Sequence, residues 1–402
     1  MKKLAAILII FSLLFVMSFS VSATVSSECE LTDDLNEPLE AVQTNAAIGQ
    51  TLEINAKSVI LMEPNTGQIL YEANSDEKLS PASITKIMSL LLVMEAIDRK
   101  DITTETVVTA SEHACSMGGS QIWLEPGESM TVDDLLKATV IASANDACVA
   151  LGELIAGSEE GFVSLMNERA KELGMTNTTF VNCTGLDSEG HLTSAHDVGI
   201  MSCELIKHDL IKKYSTVWME SLRDGSSELV NTNKLVRFYE GTTGLKTGTT
   251  ATAKYCLSAT AERNGLQLVA VVMAGETSND RFNGAKKLLD YGFANYNFSV
   301  LKSELTQSNV KINKGVSKTV GVICDDTVNI LMPKHSSEKV TRTTEWKKDI
   351  TAPVKKGEVL GYVNVCVGEE TVGKLPIKAK EEVKELTFWV TAGQILTGLF
   401  KL

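Results

Sequence analysis

The sequence has few histidines, no CxxC pair and a shortage of positive charge, and each absence excludes a class of function. Only 5 histidines occur in 402 residues, and none has the HxxxH or HExxH spacing of a zinc site. The formal net charge of −13 would repel a phosphate backbone. We therefore expect no bound metal, no cofactor and no nucleic-acid partner.

Cysteine is present, but its spacing does not indicate a framework of disulfides. The 8 cysteines are spread along the chain, and a chain of this length does not need stapling to form a core. An even number permits pairing without indicating it, so we predict no disulfide. The 44% of hydrophobic and 22% of charged residues are typical of globular proteins with two or three domains.

The N-terminus resembles an export signal. Lys2 and Lys3 precede an apolar run from Leu4 to Phe19, and Val21-Ser22-Ala23 is a small-residue cleavage pattern. The run is shorter than the ~20 residues that a membrane span needs. We predict a signal peptide at residues 1–23 and an exported protein. Residues 24–50 contain six acidic and no basic residues, which indicates an extended acidic lead-in.

Residues 51–298 alternate strand-like and helix-like segments. Two pairs of strand-like runs flank the turn sequences Pro64–Gly67 and Asn264-Gly265, so each pair predicts a β-hairpin. Apolar periodicity predicts helices over residues 84–97, 132–155, 159–173 and 279–296. Ser80 is the predicted N-cap of the first helix, with Pro81 at its first position. This order predicts an α/β sandwich with an inserted helical subdomain.

The last hundred residues have a different residue pattern. Residues 299–383 consist of short β-branched runs between Lys, Asp and Gly turns, which predicts a small all-β domain. Residues 384–402 place large apolar side chains, including Trp389, on one helical face. One interpretation is a helix lying in the membrane surface; the other is an amphipathic helix packed on its own domain.

Three short motifs stand out together. SxxK occurs five times, but only Ser83-Ile84-Thr85-Lys86 lies at a predicted helix start. Ser143-Ala144-Asn145 (SxN) and Lys246-Thr247-Gly248 (KTG) each occur once, in that order along the chain. The combination is therefore far more specific than any one motif.

The first motif has the spacing of a nucleophile and its base. Residues i and i+3 share a helix face, so we expect Lys86 beside the Ser83 hydroxyl. Lysine removes a proton only as a free amine, which requires its pKa to fall from ~10.4 toward neutrality by burial and a nearby like charge. Lys246 is the predicted source of that charge.

The other motifs suit substrate binding. The Lys246 cation and the Thr247 hydroxyl are predicted to hold a substrate carboxylate, while Gly248 lets the substrate lie along the strand. Ser143 is the predicted proton relay to the leaving amine.

Two further contacts with the substrate are expected. The Asn145 side chain is predicted to hold a substrate amide. The main-chain N–H groups of Ser83 and Thr249 are the candidates for an oxyanion hole.

The triple SxxK, SxN and KTG resembles the penicillin-recognising serine enzymes. The chain is similar to the low-molecular-mass penicillin-binding proteins that act as D-alanyl-D-alanine carboxypeptidases, close to the type of endospore-forming Gram-positive bacteria. The stretches that carry this similarity are Val59–Glu63, Met117–Glu128, Asn177–Asn182 and Gly244–Thr250. Thr249 stands where family members often have a larger residue.

The resemblance implies a β-lactamase/transpeptidase-like fold, an antiparallel sheet flanked by helices plus a helical subdomain. It also implies that the penultimate D-alanine of a peptidoglycan stem peptide acylates Ser83, terminal D-alanine leaves, and water hydrolyses the acyl-enzyme. Penicillin and other β-lactam antibiotics would acylate the same serine. The all-β domain and the C-terminal helix would form a stalk and a membrane-surface anchor on the outer side of the cytoplasmic membrane.

The sequence bears on three alternative functions. A class A β-lactamase needs a glutamate in an ExxxN segment between SxN and KTG, and here Glu172 precedes Asn177 by one residue too many. A non-catalytic wall-binding protein on this fold would lose Ser83, Lys86 or Lys246, and all three are present. A Ser-His-Asp hydrolase would carry its serine on a GxSxG elbow, and this sequence contains none.

Three residues near these motifs are interpreted as structural. Asp197 is predicted to be a capping-box acid at a helix start rather than a catalytic base. His191 and His196 have no partner that the sequence indicates, so we interpret them as structural or exposed.

Overall fold

The computed structural model describes residues 47–303, 305, 307–390 and 392. Its helices are α1 Lys86–Asp98, α2 Glu112–Cys115, α3 Val132–Ile141, α4 Asn145–Ala156, α5 Glu159–Glu172, α6 Ala195–Leu205, α7 Asp209–Ser215, α8 Leu235–Phe238 and α9 Ser278–Asn295. Its strands are β1 Ser58–Glu63, β2 Gln68–Ala73, β3 Val107–Thr109, β4 Ser129–Thr131, β5 Met219–Leu222, β6 Ser227–Val230, β7 Thr242–Thr250, β8 Lys254–Arg263, β9 Leu266–Gly275, β10 Tyr296–Lys302, β11 Asn309–Lys311, β12 Thr319–Ile323, β13 Thr327–Pro333, β14 Val340–Trp346, β15 Val359–Val367 and β16 Glu370–Ala379.

A five-stranded antiparallel sheet, in the order β2-β1-β9-β8-β7, is the centre of the first domain. Alternate residues of β1 face opposite sides: Ile60 and Met62 belong to the apolar cluster that includes α1, α4 and α6, while Val59 and Leu61 belong to the cluster that includes α9. Helices cover both faces, so the central strands are apolar throughout. The predicted α/β class, with a helical subdomain and a following all-β domain, is confirmed.

Both predicted hairpins are present. β1 and β2 pair up to Glu63 and Gln68, and β8 and β9 pair up to Arg263 and Leu266. Asn264 and Gly265 have φ values of 52° and 79°, the left-handed pair that a tight two-residue hairpin turn requires.

The predicted helix over residues 132–155 is wrong, because the chain breaks at the SxN motif. α3 ends at Ile141, and Ser143 adopts a φ of 62° before α4 begins at Asn145. The Asn145 N–H donates to the Ser120 carbonyl at 2.7 Å rather than to a helical carbonyl. This acceptor outside the helix satisfies the Asn145 N–H and stabilises the break.

The predicted start of the SxxK helix is also wrong. Ser80 is not the N-cap; a 3-10 turn at Ala82–Thr85 follows Pro81, and α1 starts only at Lys86. Ala82 has a φ of 49°, which redirects the chain after the proline. Because a 3-10 turn has three residues per turn, the side chains of Ser83 and Lys86 lie nearly over one another.

The described residues of 299–383 form strands and turns, which confirms the predicted all-β domain. One sheet has the order β11-β12-β16-β15-β14, and β10 pairs with β13. Val320, Val363, Val365 and Ile377 form the centre of its own hydrophobic core.

Several predictions fall on residues outside the described ranges. These are the signal peptide at 1–23, nearly all of the lead-in at 24–50, and most of the amphipathic segment at 384–402. In the described part of that segment, Phe388 and Trp389 are 77% and 81% exposed. Within the described ranges, no helix combines the length and the apolar character needed to span a bilayer.

Candidate active site

Ser83 and Lys86 lie side by side at the start of α1. Lys86 Nζ is 3.1 Å from Ser83 Oγ, within hydrogen-bonding distance, as the i, i+3 spacing predicts. Ser83 precedes the first turn of α1, so its main-chain N–H lies in the positive field of that helix.

The Lys86 amine is fully buried and has two further oxygen neighbours. It donates to Asn145 Oδ1 at 2.5 Å and to the Thr184 carbonyl at 2.8 Å. These two oxygens only accept, whereas the third neighbour is a hydroxyl that can also donate. A neutral amine has two N–H groups and one lone pair, so this set of neighbours satisfies it completely.

Burial lowers the Lys86 pKa from 10.5 to about 8. Nearby Cys148, Cys183 and Asp146 oppose this shift, and burial exceeds their effect. Of the two predicted causes, burial accounts for the shift, whereas the like charge predicted from Lys246 does not contribute to it.

The SxN motif contacts the same amine. Asn145 accepts from Lys86 through Oδ1 and donates through Nδ2 to the Gly118 carbonyl at 2.7 Å. Its side chain thus links α4 to the 117–124 loop and fixes the lysine. Ser143 is buried in the turn between α3 and α4.

The KTG motif lies on the edge strand β7. Lys246 is buried and donates to the Thr247 carbonyl at 3.0 Å, while Thr247 Oγ1 donates to Thr232 Oγ1 at 2.7 Å. Burial, together with the charges of Lys86 and Arg281, holds the Lys246 pKa well below its ordinary value. Two amines with lowered pKa values therefore share one cleft.

Gly248 brings β7 against the nucleophile. A Cβ at this position would lie 2.9 Å from the Pro81 carbonyl oxygen and 3.0 Å from Ser83 N. These are main-chain atoms, so only glycine permits the approach. The SxxK turn is thus joined to SxN through Lys86 and to KTG through this contact, and the three motifs form one cleft.

Arg281 of α9 contributes to the site without any signal in the sequence. Its buried guanidinium donates from Nη1 to Thr249 Oγ1 at 2.8 Å and to the Gly248 carbonyl at 3.2 Å. A single arginine inside an amphipathic helix is usually a surface residue, so its position could be found only from the fold.

Two other contributors were also missed. Thr184 acts through its main-chain carbonyl, which leaves no trace in a residue pattern. Asp146 follows the SxN motif, and its buried carboxylate accepts from the N–H groups of Ile122 and Leu124, each at 3.1 Å. It thereby holds the loop that Asn145 also contacts. Asp146 could have been noticed as a buried acid beside the motif.

Asp197 lies at the start of α6, as predicted, where Ser194 Oγ accepts from the Asp197 N–H. The predicted capping box is therefore only half present, because the Asp197 carboxylate accepts from Asn177 N and Thr178 Oγ1 rather than from the Ser194 N–H.

Comparison with known proteins agrees with this geometry. A family profile described as Peptidase_S11, D-alanyl-D-alanine carboxypeptidase, matches residues 42–277, and a profile for the C-terminal domain of penicillin-binding protein 5 matches residues 297–385. The chain belongs to the S11 family of D-alanyl-D-alanine carboxypeptidases.

Individual relatives extend over most of the chain. D-alanyl-D-alanine carboxypeptidase DacF of Bacillus subtilis is 45% identical over 83% of this chain and 87% of its own length. DacC of Escherichia coli is 34% identical over 86% of this chain and 89% of its own.

Solved structures show the same architecture. Penicillin-binding protein 5 of Haemophilus influenzae superposes with a TM-score of 0.70 at 30% identity, over 84% of this chain and 99% of that one. The ampicillin-bound form of penicillin-binding protein D2 from Listeria monocytogenes has a TM-score of 0.56 at 31% identity, over 61% of this chain and 100% of that one.

Proposed function

We propose that Ser83 is the nucleophile and Lys86 the general base of a D-alanyl-D-alanine carboxypeptidase that trims peptidoglycan stem peptides. The observation that carries this assignment is the buried amine of Lys86, 3.1 Å from the Ser83 hydroxyl, with a pKa lowered to about 8. An amine with that pKa is partly neutral at working pH and can accept the serine proton.

Acylation would proceed in two steps. The Ser83 Oγ–H proton moves to Lys86 Nζ as Oγ bonds to the carbonyl carbon of the penultimate D-alanine. The tetrahedral oxyanion then collapses, the C–N bond breaks, and terminal D-alanine leaves as its amine takes a proton. The main-chain N–H groups of Ser83 and Thr249 would hold the oxyanion, and the close approach of Gly248 to Ser83 N supports this role.

The edge strand β7 supports the binding of the substrate as an added strand. The terminal carboxylate would bind to Lys246, whose amine its negative charge would keep protonated, and to the Thr247 hydroxyl, which would turn its proton from Thr232 to the substrate. Gly248 would give the peptide access to the main chain. Thr249 would act through its main chain, with Arg281 fixing its hydroxyl.

Ser143 would carry the proton to the leaving amine. Its position in the strained turn before Asn145 supports this role, because Asn145 contacts the base directly. Asn145 would orient Lys86 and the substrate amide together. Water would then hydrolyse the ester on Ser83, with Lys86 again accepting a proton.

β-Lactam antibiotics would acylate the same serine. An ampicillin-bound relative at 31% identity supports this proposal. A β-lactam carries its carboxylate close to the reactive carbonyl, as does a peptide ending in D-alanine.

The chain would act at the outer face of the cytoplasmic membrane. Residues 1–23 would direct export, 24–50 would form a linker, 51–298 would carry the reaction, and 299–383 would form the stalk. Residues 384–402 would lie in the membrane surface. The exposed pair Phe388 and Trp389 supports this, because indole and phenyl rings favour the lipid interface.

Mass spectrometry of the intact protein and of its proteolytic peptides, after treatment with penicillin, tests the assignment. We expect one adduct on a peptide containing Ser83, its loss in Ser83→Ala, and its retention in Ser80→Ala, which removes a neighbouring hydroxyl outside the motif. An undiminished adduct in Ser83→Ala would refute the nucleophile.

A further inference from the structure

His191 is a buried group that the proposed reaction does not use. Its side chain is only 2% exposed and lies between the SxxK turn and the chain at residues 180–185. The imidazole contacts the edge of Phe180, with ring centroids 5.9 Å apart. A polar ring in such a place needs partners for both nitrogens.

Both nitrogens have one. Nδ1 accepts from the Val181 N–H at 3.0 Å, so the ring proton must be on Nε2. Nε2 therefore donates to Thr85 Oγ1 at 2.8 Å. Burial, opposed by the charge of Asp187, lowers the His191 pKa to about 4, which keeps the ring neutral at working pH.

Each hydrogen-bond partner of His191 belongs to a segment that contains or contacts Lys86. Thr85 lies inside the SxxK motif, next to Lys86. Val181 begins the segment whose Thr184 carbonyl accepts from Lys86 at 2.8 Å. Within that segment, Asn182 Oδ1 accepts from Thr184 N at 3.2 Å and from Gly185 N at 2.7 Å, so the segment behaves as one closed turn.

We propose that His191 is a positioning residue for Lys86. The imidazole ties the turn that carries Ser83 and Lys86 to the segment that carries the Thr184 carbonyl, so the amine keeps both its acceptor and its dry surroundings. This inference rests on the proposed function, since it assigns His191 a role in the action of that base.

The consequence is measurable in the ionisation of Lys86. If the tie is cut, the Thr184 segment separates from the turn, water enters, and the Lys86 pKa rises toward its ordinary value. The charged and titratable groups that face Lys86 are Asp146 and Cys148 from α4, Cys183 from the segment itself, and Lys246 from β7. None of them is changed by substitution at position 191.

The experiment follows acylation by a fluorescent penicillin across pH 5 to 10, separating the encounter affinity from the acylation rate. His191→Phe keeps the ring and its contact with Phe180 but removes both hydrogen bonds. We expect acylation at pH 7 to fall about tenfold or more, and its acidic limb to move upward by roughly half a unit to one unit. The encounter affinity should change less than about twofold.

Two further variants distinguish positioning from packing. His191→Gln, which retains a donor for Thr85, should recover most of the rate. Thr85→Val should match His191→Phe, and the double variant should be no worse than either, because both cut the same tie. The control is His335→Phe, which removes an exposed histidine in the all-β domain and should behave as wild type.

Several outcomes would overturn the proposal. One is a His191→Phe variant that loses thermal stability yet keeps the wild-type rate and acidic limb. Another is full additivity of the two single substitutions. If His191→Phe does not fold, an unaltered profile in Thr85→Val is equally decisive. Absence of acylation in the wild type would instead refute the proposed function.

Discussion

Gly185 offers the sharpest test of how closely the site is packed. Its φ is 90°, and a Cβ there would lie 1.8 Å from the Ala82 carbonyl oxygen and 2.9 Å from Ser83 N. An ordinary contact needs 3.4 Å or more, so Gly185→Ala forces the two main chains apart by about 1.6 Å. The displaced atoms adjoin the nucleophile on one side and the Thr184 carbonyl on the other.

The cost has two parts, which a matched variant separates. Gly190 lies in the same loop with a φ of 81°, but nothing lies within 4 Å of its added Cβ. Gly190→Ala therefore carries only the left-handed strain, about 1–2 kcal/mol. Gly185→Ala carries that strain and the collision. We expect about 2–4 kcal/mol of lost stability for Gly185→Ala, toward the upper range of single substitutions.

Activity should respond more steeply than stability. A misplacement of about 1 Å near reacting atoms costs on the order of 100-fold in rate, so Gly185→Ala should acylate about 100-fold more slowly. Gly190→Ala should stay within about threefold of wild type. Stopped-flow acylation and calorimetric unfolding of both variants measure this. Equal impairment of the two variants, or a wild-type rate in Gly185→Ala, would refute the packing argument.

Three other substitutions probe separate parts of the site. Asn145→Ala removes an acceptor from the buried Lys86 amine, so it should lower the unfolding free energy by about 1–3 kcal/mol in denaturant titration and slow acylation in stopped-flow. An unchanged acylation rate would mean that Lys86 does not need Asn145. Thr247→Val removes the proposed carboxylate donor, so the KM for a peptide ending in two D-alanines, measured by D-alanine release, should rise about five- to tenfold. An unchanged KM would mean that the Thr247 hydroxyl does not bind the substrate. His191 has a pKa of about 4 in the folded protein, against ~6.5 unfolded, so stability from its neutral ring is present above pH ~6.5 and is lost as pH falls toward 4. The unfolding free energy of wild type, measured by urea titration, should therefore fall by about 2 kcal/mol more between pH 7 and pH 5 than that of His191→Gln. An equal fall in the two proteins would contradict the neutral buried ring.

The sequence predicts most of the fold because its strongest signals are local. Asn264-Gly265 between two apolar runs predicts a hairpin, and the apolar periodicity over 159–173 predicts α5. The failures occur where tertiary contacts override local preference. Residues 142–145 have no helix breaker, yet Asn145 N bonds to Ser120 and the helix is interrupted.

The active site also has features that local sequence predicts and features that depend on tertiary contacts. The i, i+3 spacing of Ser83 and Lys86 is a local property and places the pair correctly. The cause of the lowered Lys86 pKa is not local, because it depends on burial by segments 60 to 100 residues away in the chain. Every residue has a main-chain carbonyl, so a residue pattern cannot single out that of Thr184. The hydrogen bond between His191 and Thr85 forms only in the folded protein, so the sequence does not reveal it.

If Lys86 is the general base, its pKa lies close to working pH and its amine is partly neutral there, and an NMR titration of lysine side chains labelled at Cε tests this directly. We expect a resonance that titrates near pH 8, well below ordinary lysines at ~10.4, and that is absent from Lys86→Met while Lys246→Met retains it. A spectrum in which Lys86 titrates with the surface lysines would contradict the assignment of Lys86 as the base.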